Sequence, residues 1–178
     1  YPQVEVQLDV TDRPVDLVAE GIDLAIRFGE LPDQRLVARR IMSNRRLLCA
    51  SPRYLERHGT PASLAELVNH RCIVHRQNDE AHGVWRLEHE GRAVSVKVQG
   101  ALSSNDGDIV LGWALDGHGI LVRSEWDLAK YVDSGRLRIV LPGYAQPEAD
   151  LFVVYPSKRR QSARARAFVD FLVAQFGV

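Results

Sequence analysis

Three short, wholly apolar runs constrain the fold of this chain more than any other feature of its sequence. They are Leu24–Ile26, Cys72–Val74 and Ile120–Val122, and segments with helical spacing of apolar residues lie between them. A strand that is apolar at every position is typical of a sheet covered on both faces, because the side chains on each face then need nonpolar neighbours. Such strands, alternating with helices, predict an α/β fold with largely parallel sheets.

Two other segments alternate between apolar and polar residues, which is the period of a strand with one face in water. The first is Val4–Val10, and a helix is predicted to follow it from Thr11. The second is Val94–Val98, which we expect to pair with Trp85–Glu90 across a turn at Gly91. These segments predict that some strands are antiparallel or lie at a sheet edge.

Composition places the chain among globular proteins and limits its partners. Of its 178 residues, 46% are hydrophobic and 26% are charged, which is enough apolar chain to bury a core. Lys plus Arg and Asp plus Glu each number 23, so this stretch lacks the basic excess that nucleic-acid binding needs. Apolar runs fall far short of the roughly 20 residues that cross a bilayer. Two cysteines are too few for a disulfide framework, so we expect a cytoplasmic protein with no membrane partner.

Motifs of nucleophilic catalysis and phosphate binding are absent from the sequence. It contains no Gly-x-Ser-x-Gly, and the stretch Gly112–Gly119 lacks the Lys-Ser/Thr end of a phosphate-binding loop. Among the histidines and cysteines, Cys72 and His75 are the only tightly spaced pair, but side chains three apart on a strand point to opposite faces. The sequence therefore predicts no enzyme, no cofactor and no metal site.

Polar residues stand where two predicted strands end and helices begin, at Thr11–Arg13 and Ser103–Asp106. In open α/β sheets, ligands bind at the carboxyl ends of strands, near helix N-termini. Two interpretations stay open for Ser104 and Asn105, namely a plain helix cap and a contact to a ligand. For Asp12 the cap is favoured.

Short motifs follow one another in a fixed order along the whole chain. They are Tyr1–Val4, Val15–Arg27, Leu36–Arg40, Leu48–Leu55, His70–Ile73, Ser104–Gly107, Gly117–Ile120, Gly135–Leu137 and Val154–Ser157. Each motif is weak alone. In this order and at this spacing they resemble the effector-binding domain of LysR-type transcriptional regulators, and they cover nearly all of the chain.

The resemblance implies a periplasmic-binding-protein-like fold of two α/β subdomains joined by two crossover segments. Subdomain I would comprise residues 1–46 and 138–178, and subdomain II residues 47–137. A small effector, often a carboxylate, would bind in the cleft between them. The family carries one more strand and helix at the start of subdomain I, so we expect that N-terminal strand and helix to be missing here.

The resemblance also implies which side chains contact the effector. Family members use the loop after the first strand, the loop after the Cys72–Val74 strand, and the helix start near Asn105. The candidates in this sequence are Thr11, Arg13, Arg27, Arg76, Gln77, Ser104 and Asn105. Arg13 and Arg76 would each offer a guanidinium fork to a carboxylate. A plain surface position is the alternative for both arginines.

The function implied by the resemblance is ligand sensing. Effector binding would alter the oligomer geometry of an attached winged helix-turn-helix domain, which is absent from this sequence and would contact DNA. Paired half-sites in DNA need two readers, so we expect a homodimer, and related proteins pair further into tetramers. One alternative is a solute-binding protein of a transport system with the same fold. Another is an enzyme on the same scaffold.

Overall fold

The computed structural model describes residues 4–11, 13, 15–29, 33, 35–76, 83–146, 150–157 and 162–176. The chain forms two compact units, Tyr1–Ser43 with Ala149–Val178 and Asn44–Glu148. The helices of the described residues include none with the length and apolar character needed to cross a bilayer. In chain order the elements are β1 Ala25–Phe28, β2 Leu36–Met42, β3 Arg46–Ala50, α1 Pro52–His58, a 3-10 helix Leu64–Asn69, β4 Cys72–His75, β5 Val84–His89, β6 Arg92–Lys97, β7 Leu102–Ser104, α2 Gly107–Leu115, β8 Ile120–Ser124, α3 Glu125–Asp133, β9 Arg138–Ile139, β10 Ala145–Gln146, β11 Leu151–Pro156 and α4 Ala163–Phe176.

The first unit is a three-stranded antiparallel sheet, in the order β1-β11-β2, with α4 packed on it. Val153 in the central strand and Ile41 in β2 meet Val169 and Leu172 of α4 in its core. The helical spacing of Phe168, Phe171, Leu172 and Phe176 in the sequence predicts that these side chains form the apolar face of the last helix, and this is only partly right. Phe168 and Leu172 face the core, whereas Phe171 and Phe176 are exposed, because the buried positions follow the spacing of Ala165, Val169 and Leu172.

Two predicted elements at the start of the chain are not formed. Residues 4–10 pair with no strand among the described residues, and the apolar side chains of Val6, Leu8 and Val10 are exposed, that of Val10 by 89%. A strand is formed by backbone hydrogen bonds to a neighbouring strand, and residues 4–10 make none with the described strands of this unit. The helix predicted from Thr11 is a turn over Leu17–Gly21, which begins later because Asp16 caps it by accepting hydrogen bonds from the N–H groups of Val18 and Ala19, and which ends at Gly21 with positive φ.

The second unit is built on an eight-stranded sheet with the path β6-β5-β10-β3-β8-β4-β7, and β9 pairs with β3 beside it. The residues of its central strands alternate between two separate cores. In β4, Cys72 and Val74 pack in one core and Ile73 in the other. The same alternation holds for Ile120–Val122 in β8. Two of the three wholly apolar runs are thus covered on both faces, as predicted.

The third wholly apolar run, Leu24–Ile26, is not covered on both faces. It leads into β1, which is an edge strand, and Ile26 is 45% exposed. The prediction of largely parallel sheets is also wrong. Among the described strands, only β4 with β7 and β4 with β8 are parallel pairs. Short turns force antiparallel pairing, as in the predicted hairpin of β5 and β6, where Glu90 and Gly91 both have positive φ.

Two glycines allow the parallel strands β7 and β8 to begin beside β4. A Cβ on Gly100, before β7, would overlap the carbonyl oxygen of Cys72. A Cβ on Gly119, before β8, would lie 2.5 Å from the carbonyl oxygen of Arg71. The same two segments hydrogen-bond there, since Cys72 donates to the Gln99 carbonyl at 2.9 Å and Ile120 donates to that of Arg71 at 2.9 Å. The parallel triplet β8-β4-β7 therefore requires residues without a side chain at both positions.

Alanine substitutions at two glycines should change stability in opposite directions. In Gly119→Ala the new methyl meets a backbone oxygen within the sheet, so we expect a loss of about 1–3 kcal/mol. Gly112, inside α2, has nothing within 4 Å of an added Cβ, so Gly112→Ala should gain about 1 kcal/mol of helix propensity. Thermal denaturation of the two variants measures both effects. An equal shift of melting temperature in the same direction would contradict this account.

Candidate functional site

Polar side chains gather where the parallel strands of the second unit end. The register pairs His75 of β4 with Ser104 of β7, and β8 ends alongside β4 on its other side. We call this region the carboxyl edge, and it comprises His75, Arg76, Ser104, Asn105 and Arg123. It lies at the start of α2, which is the position where α/β sheets present ligands to helix N-termini.

The two loops that leave β4 and β7 are joined by their backbones. The Arg76 N–H donates to the Ser104 carbonyl at 2.8 Å, so the ladder between the strands continues one residue past β4. The Ser104 hydroxyl accepts from the Asp106 N–H at 3.0 Å, which leaves its own O–H free to donate. Arg76 and Asn105 are exposed and Ser104 is half-buried. These three predicted residues are therefore brought together on one surface.

The cap of α2 is Asp106, not Asn105 as the sequence suggested. The Asp106 carboxylate accepts hydrogen bonds from the N–H groups of Asp108 and Ile109, both at 2.9 Å. An anion arriving at this helix start would meet a carboxylate on those amides, so recognition by the free helix N-terminus is not available there. The position of Asp106 directly before Gly107 was the sequence signal for this cap.

Three residues of the carboxyl edge form a chain of polar contacts with Asp127 of α3, and the sequence did not predict this chain. Arg123 of β8 donates through Nε to the carboxylate of Asp127 in α3 and through Nη1 to Nδ1 of His75 at 3.5 Å. The His75 Nε2 lies 3.3 Å from the Asn105 carbonyl oxygen. The spacing of Arg123 and Asp127 by four residues was visible in the sequence. Their meeting with His75, 48 residues away, was not.

The proton positions in this chain follow from its partners. A carbonyl oxygen only accepts, so the His75 Nε2 carries the proton and donates to Asn105. The Nδ1 then accepts from Arg123, which requires a neutral ring. Burial lowers the pKa of His75, and the neighbouring Arg123 and Arg46 cations lower it further, against the opposing effects of the Asn105 hydrogen bond and Asp106.

The remaining predicted site residues lie elsewhere. Thr11 and Arg13 are exposed residues of the first unit, and the Arg13 N–H donates to the Thr11 hydroxyl at 3.1 Å. Arg27 is a half-buried residue of β1 in the same unit. Gln77 falls outside the described residues.

The cysteines are buried in the second unit and are poor nucleophiles. Cys49 and Cys72 are both free, and burial raises the pKa of each thiol to about 12. The thiolate form that reacts or binds metal is therefore disfavoured. In the part of the chain that the structure describes, no group of three or more His, Cys, Asp or Glu residues has the arrangement of a metal site.

Known proteins similar to this chain are transcriptional regulators. Residues 1–177 match the family described as LysR substrate binding domain. The HTH-type transcriptional activator TtdR of Escherichia coli K12 is 46% identical over 175 residues, which are 98% of this chain and 56% of the relative. The HTH-type transcriptional regulator DmlR of the same strain is 46% identical over 176 residues, 99% of this chain and 57% of the relative. The chain thus spans about half the length of the curated relatives it matches.

Solved structures of regulators also match. The full-length Vibrio cholerae virulence activator AphB, a member of the LTTR family, superimposes with a TM-score of 0.85 at 26% identity, over 99% of this chain and 59% of that chain. The regulatory domain of the LysR-type transcriptional regulator CrgA from Neisseria meningitidis gives a TM-score of 0.78 at 30% identity, over 90% of this chain and 78% of that chain.

Removing the charge of Asp127 should cost far more stability than removing an exposed partner on the same helix. The side chains of Arg123 and Asp127 are only 17% and 14% exposed, so Asp127→Asn leaves a shielded guanidinium without its carboxylate and should lose about 3 kcal/mol. Arg45 and Glu125 are 58% and 51% exposed, so Glu125→Gln should lose less than about 1 kcal/mol. Urea denaturation compares the two variants. Equal losses of stability in the two variants would show that the buried Arg123–Asp127 pair contributes no more than the exposed Arg45–Glu125 pair.

Stability should fall on acidification because His75 is held neutral. Its pKa in the folded protein lies below the value of about 6.5 for an exposed histidine, so the unfolded chain takes up the proton first as pH falls. We expect the free energy of unfolding to drop between about pH 7 and about pH 5. His70, whose pKa burial also lowers, contributes to the same drop.

The variant His75→Gln isolates the His75 contribution, because the glutamine amide can still donate to the Asn105 carbonyl but does not titrate. Its loss of stability between the two pH values should be smaller than that of the wild type. Urea denaturation at a series of pH values measures both, with the stabilities at about pH 8 as the reference. Parallel pH profiles would contradict the assignment to His75.

Proposed function

The chain belongs to the LysR substrate-binding domain family, and from this we propose that it is the effector-sensing domain of a transcriptional regulator. The observation that carries the proposal is the family match over residues 1–177, to which the polar carboxyl edge of the second unit adds a place for a ligand. The named relatives are regulators of transcription, which favours this function over a transport protein of the same fold and over an enzyme.

We propose that the two compact units are the two regulatory subdomains. The two units divide after Ser43 and before Ala149, whereas the division implied by the resemblance is 1–46 with 138–178 and 47–137. The reason lies in the sheet pairing, because β9 and β10 both pair with β3 and so belong with the second unit.

The proposed effector is a small molecule with a carboxylate group. Arg76 is exposed and its backbone N–H donates to the Ser104 carbonyl, so the base of its side chain is held where β4 ends next to β7. A guanidinium fork and a hydroxyl donor are suited to the two oxygens of a carboxylate. Asn105 adds an amide next to them. Thr11, Arg13, Arg27 and Gln77 remain proposed contacts of the effector, inferred from the family.

DNA would be contacted by a part of the protein outside this stretch. The relatives are described as HTH-type regulators, and this chain covers just over half of TtdR and of DmlR. The formal net charge of zero agrees with a domain that does not itself hold DNA. We propose a homodimer that can pair into a tetramer, because paired half-sites need two readers, and we expect it in the cytoplasm, where bacterial DNA is.

A thermal-shift experiment with a panel of small mono-, di- and tricarboxylates tests the proposed function. A ligand present at about 100 times its Kd should add about 2.7 kcal/mol, which raises the melting temperature of a protein of this size by about 5–10 °C. Arg76→Ala removes charge-assisted hydrogen bonds, so the ligand should bind roughly 10–100-fold more weakly.

Arg71→Ala is the matched control. Arg71 is an exposed arginine at the opposite end of β4, so its loss should leave the ligand-induced shift unchanged. A panel in which no carboxylate stabilises the wild type would refute the proposed effector class. Equal behaviour of the two arginine variants would refute the role of Arg76.

A further inference from the structure

The loop that joins β7 to α2 has a fixed internal shape, but bonds within the loop do not fix its place on the sheet. Its internal hydrogen bonds run from Asp106 to the Ser104 hydroxyl and from α2 to the Asp106 carboxylate. Only groups from other elements can decide where Asn105 lies relative to Arg76. In the described structure those groups include the Arg76 N–H, which donates to the Ser104 carbonyl, His75 of β4, through the Asn105 carbonyl, and Arg123 of β8, through Gly107 at the end of the loop.

Arg123 contacts two residues that border or bond this loop, Gly107 at the start of α2 and His75 of β4. Its guanidinium packs on the first residue of α2, so closely that a Cβ on Gly107 would overlap both terminal nitrogens and lie 2.7 Å from Cζ. One of those nitrogens also reaches the His75 Nδ1 at 3.5 Å. Asp127 holds the guanidinium from the side of α3. The absence of a side chain at Gly107 is what makes room for this arrangement.

We infer that Arg123, anchored by Asp127, is the positioning residue of the carboxyl edge: it sets the place of Asn105 through the neutral His75 ring and through Gly107. The claim that this placement serves effector binding rests on the proposed function. The claim that Arg123 sets the placement does not.

The charges around His75 fit this role. The ring is faced by Arg123 from β8, by Arg46 from β3, by Asp106 from the start of α2, and by the backbone carbonyl of Asn105. Protonation of His75 would turn Nδ1 from an acceptor into a donor and point a second cation at Arg123. Loss of the Arg123 guanidinium and protonation of His75 therefore break the same link.

Nitrogen-15 NMR of the protein without added ligand tests the inference. In the wild type, the His75 ring should be the Nε2–H tautomer at neutral pH, and the Asn105 amide should titrate with the same midpoint as the ring. In Arg123→Gln the midpoint should move to higher pH, because a cation that opposes protonation is gone. The Asn105 amide of that variant should be shifted already at neutral pH.

Arg45→Gln is the matched control, since Arg45 also pairs with an acidic residue of α3, Glu125, and its side-chain hydrogen bonds in the described structure are to that residue. Its His75 midpoint and Asn105 amide should match those of the wild type. An unchanged Asn105 amide in Arg123→Gln, or a His75 ring in the Nδ1–H tautomer, would overturn the inference.

If Arg123→Gln does not fold, the variant Gly107→Ala tests the positioning role of Arg123 instead. Its methyl group displaces the guanidinium while all the charges remain, and Gly112→Ala adds a methyl to the same helix without touching a neighbour. The first should shift the Asn105 amide and the His75 titration, and the second should leave both unchanged. Because no ligand is used, failure of the carboxylate panel would refute the proposed effector and leave this result standing. An unmoved Asn105 in a protein that binds a carboxylate would refute only the role of Arg123.

Discussion

The close approach of backbones at the start of β4 is the constraint on which the second unit depends. Gly100 and Gly119 bring β7 and β8 to either side of β4 at the level of Arg71 and Cys72, where any side chain would meet a carbonyl oxygen. Strands that start together and run parallel also end together. The polar residues after these strands therefore share one edge of the sheet, and the site follows from a packing requirement at the opposite end of β4.

The two arginines of the carboxyl edge, Arg123 and Arg76, differ in their exposure and in their partners. Arg123 is shielded and engaged with Asp127 and His75, so its charge supports the structure and is not open to a ligand. Arg76 is exposed on a backbone that the β4–β7 ladder holds in place. The helix amides beyond them are already occupied by Asp106. A ligand at this edge would thus be met by side chains and not by free helix amides.

Sequence patterns were reliable where a local rule decided the outcome. The hairpin of β5 and β6 follows from alternation and a turn at Gly91, and α1 follows from the Ser51 cap before Pro52 and from Gly59, which caps its other end. Sequence patterns failed where the outcome depended on a second segment that is distant in the sequence. The alternation in Val4–Val10 is that of a strand, yet a strand forms only against another edge, and no described strand lies beside it. Parallel pairing was overestimated for the same reason, because apolarity reports burial and not strand direction.

By itself, the sequence determined the α/β class, the two-sided burial of β4 and β8, the family, and the polar character of Ser104–Asp106. These depend on periodicity, composition and ordered motifs, which are properties of the chain read in one dimension. Only the tertiary structure decided that Asp106, and not Asn105, caps α2, and that Arg123 contacts both His75 and Gly107. Those contacts join residues of different strands and helices, and their geometry exists only once the parallel triplet has brought β4, β7 and β8 side by side.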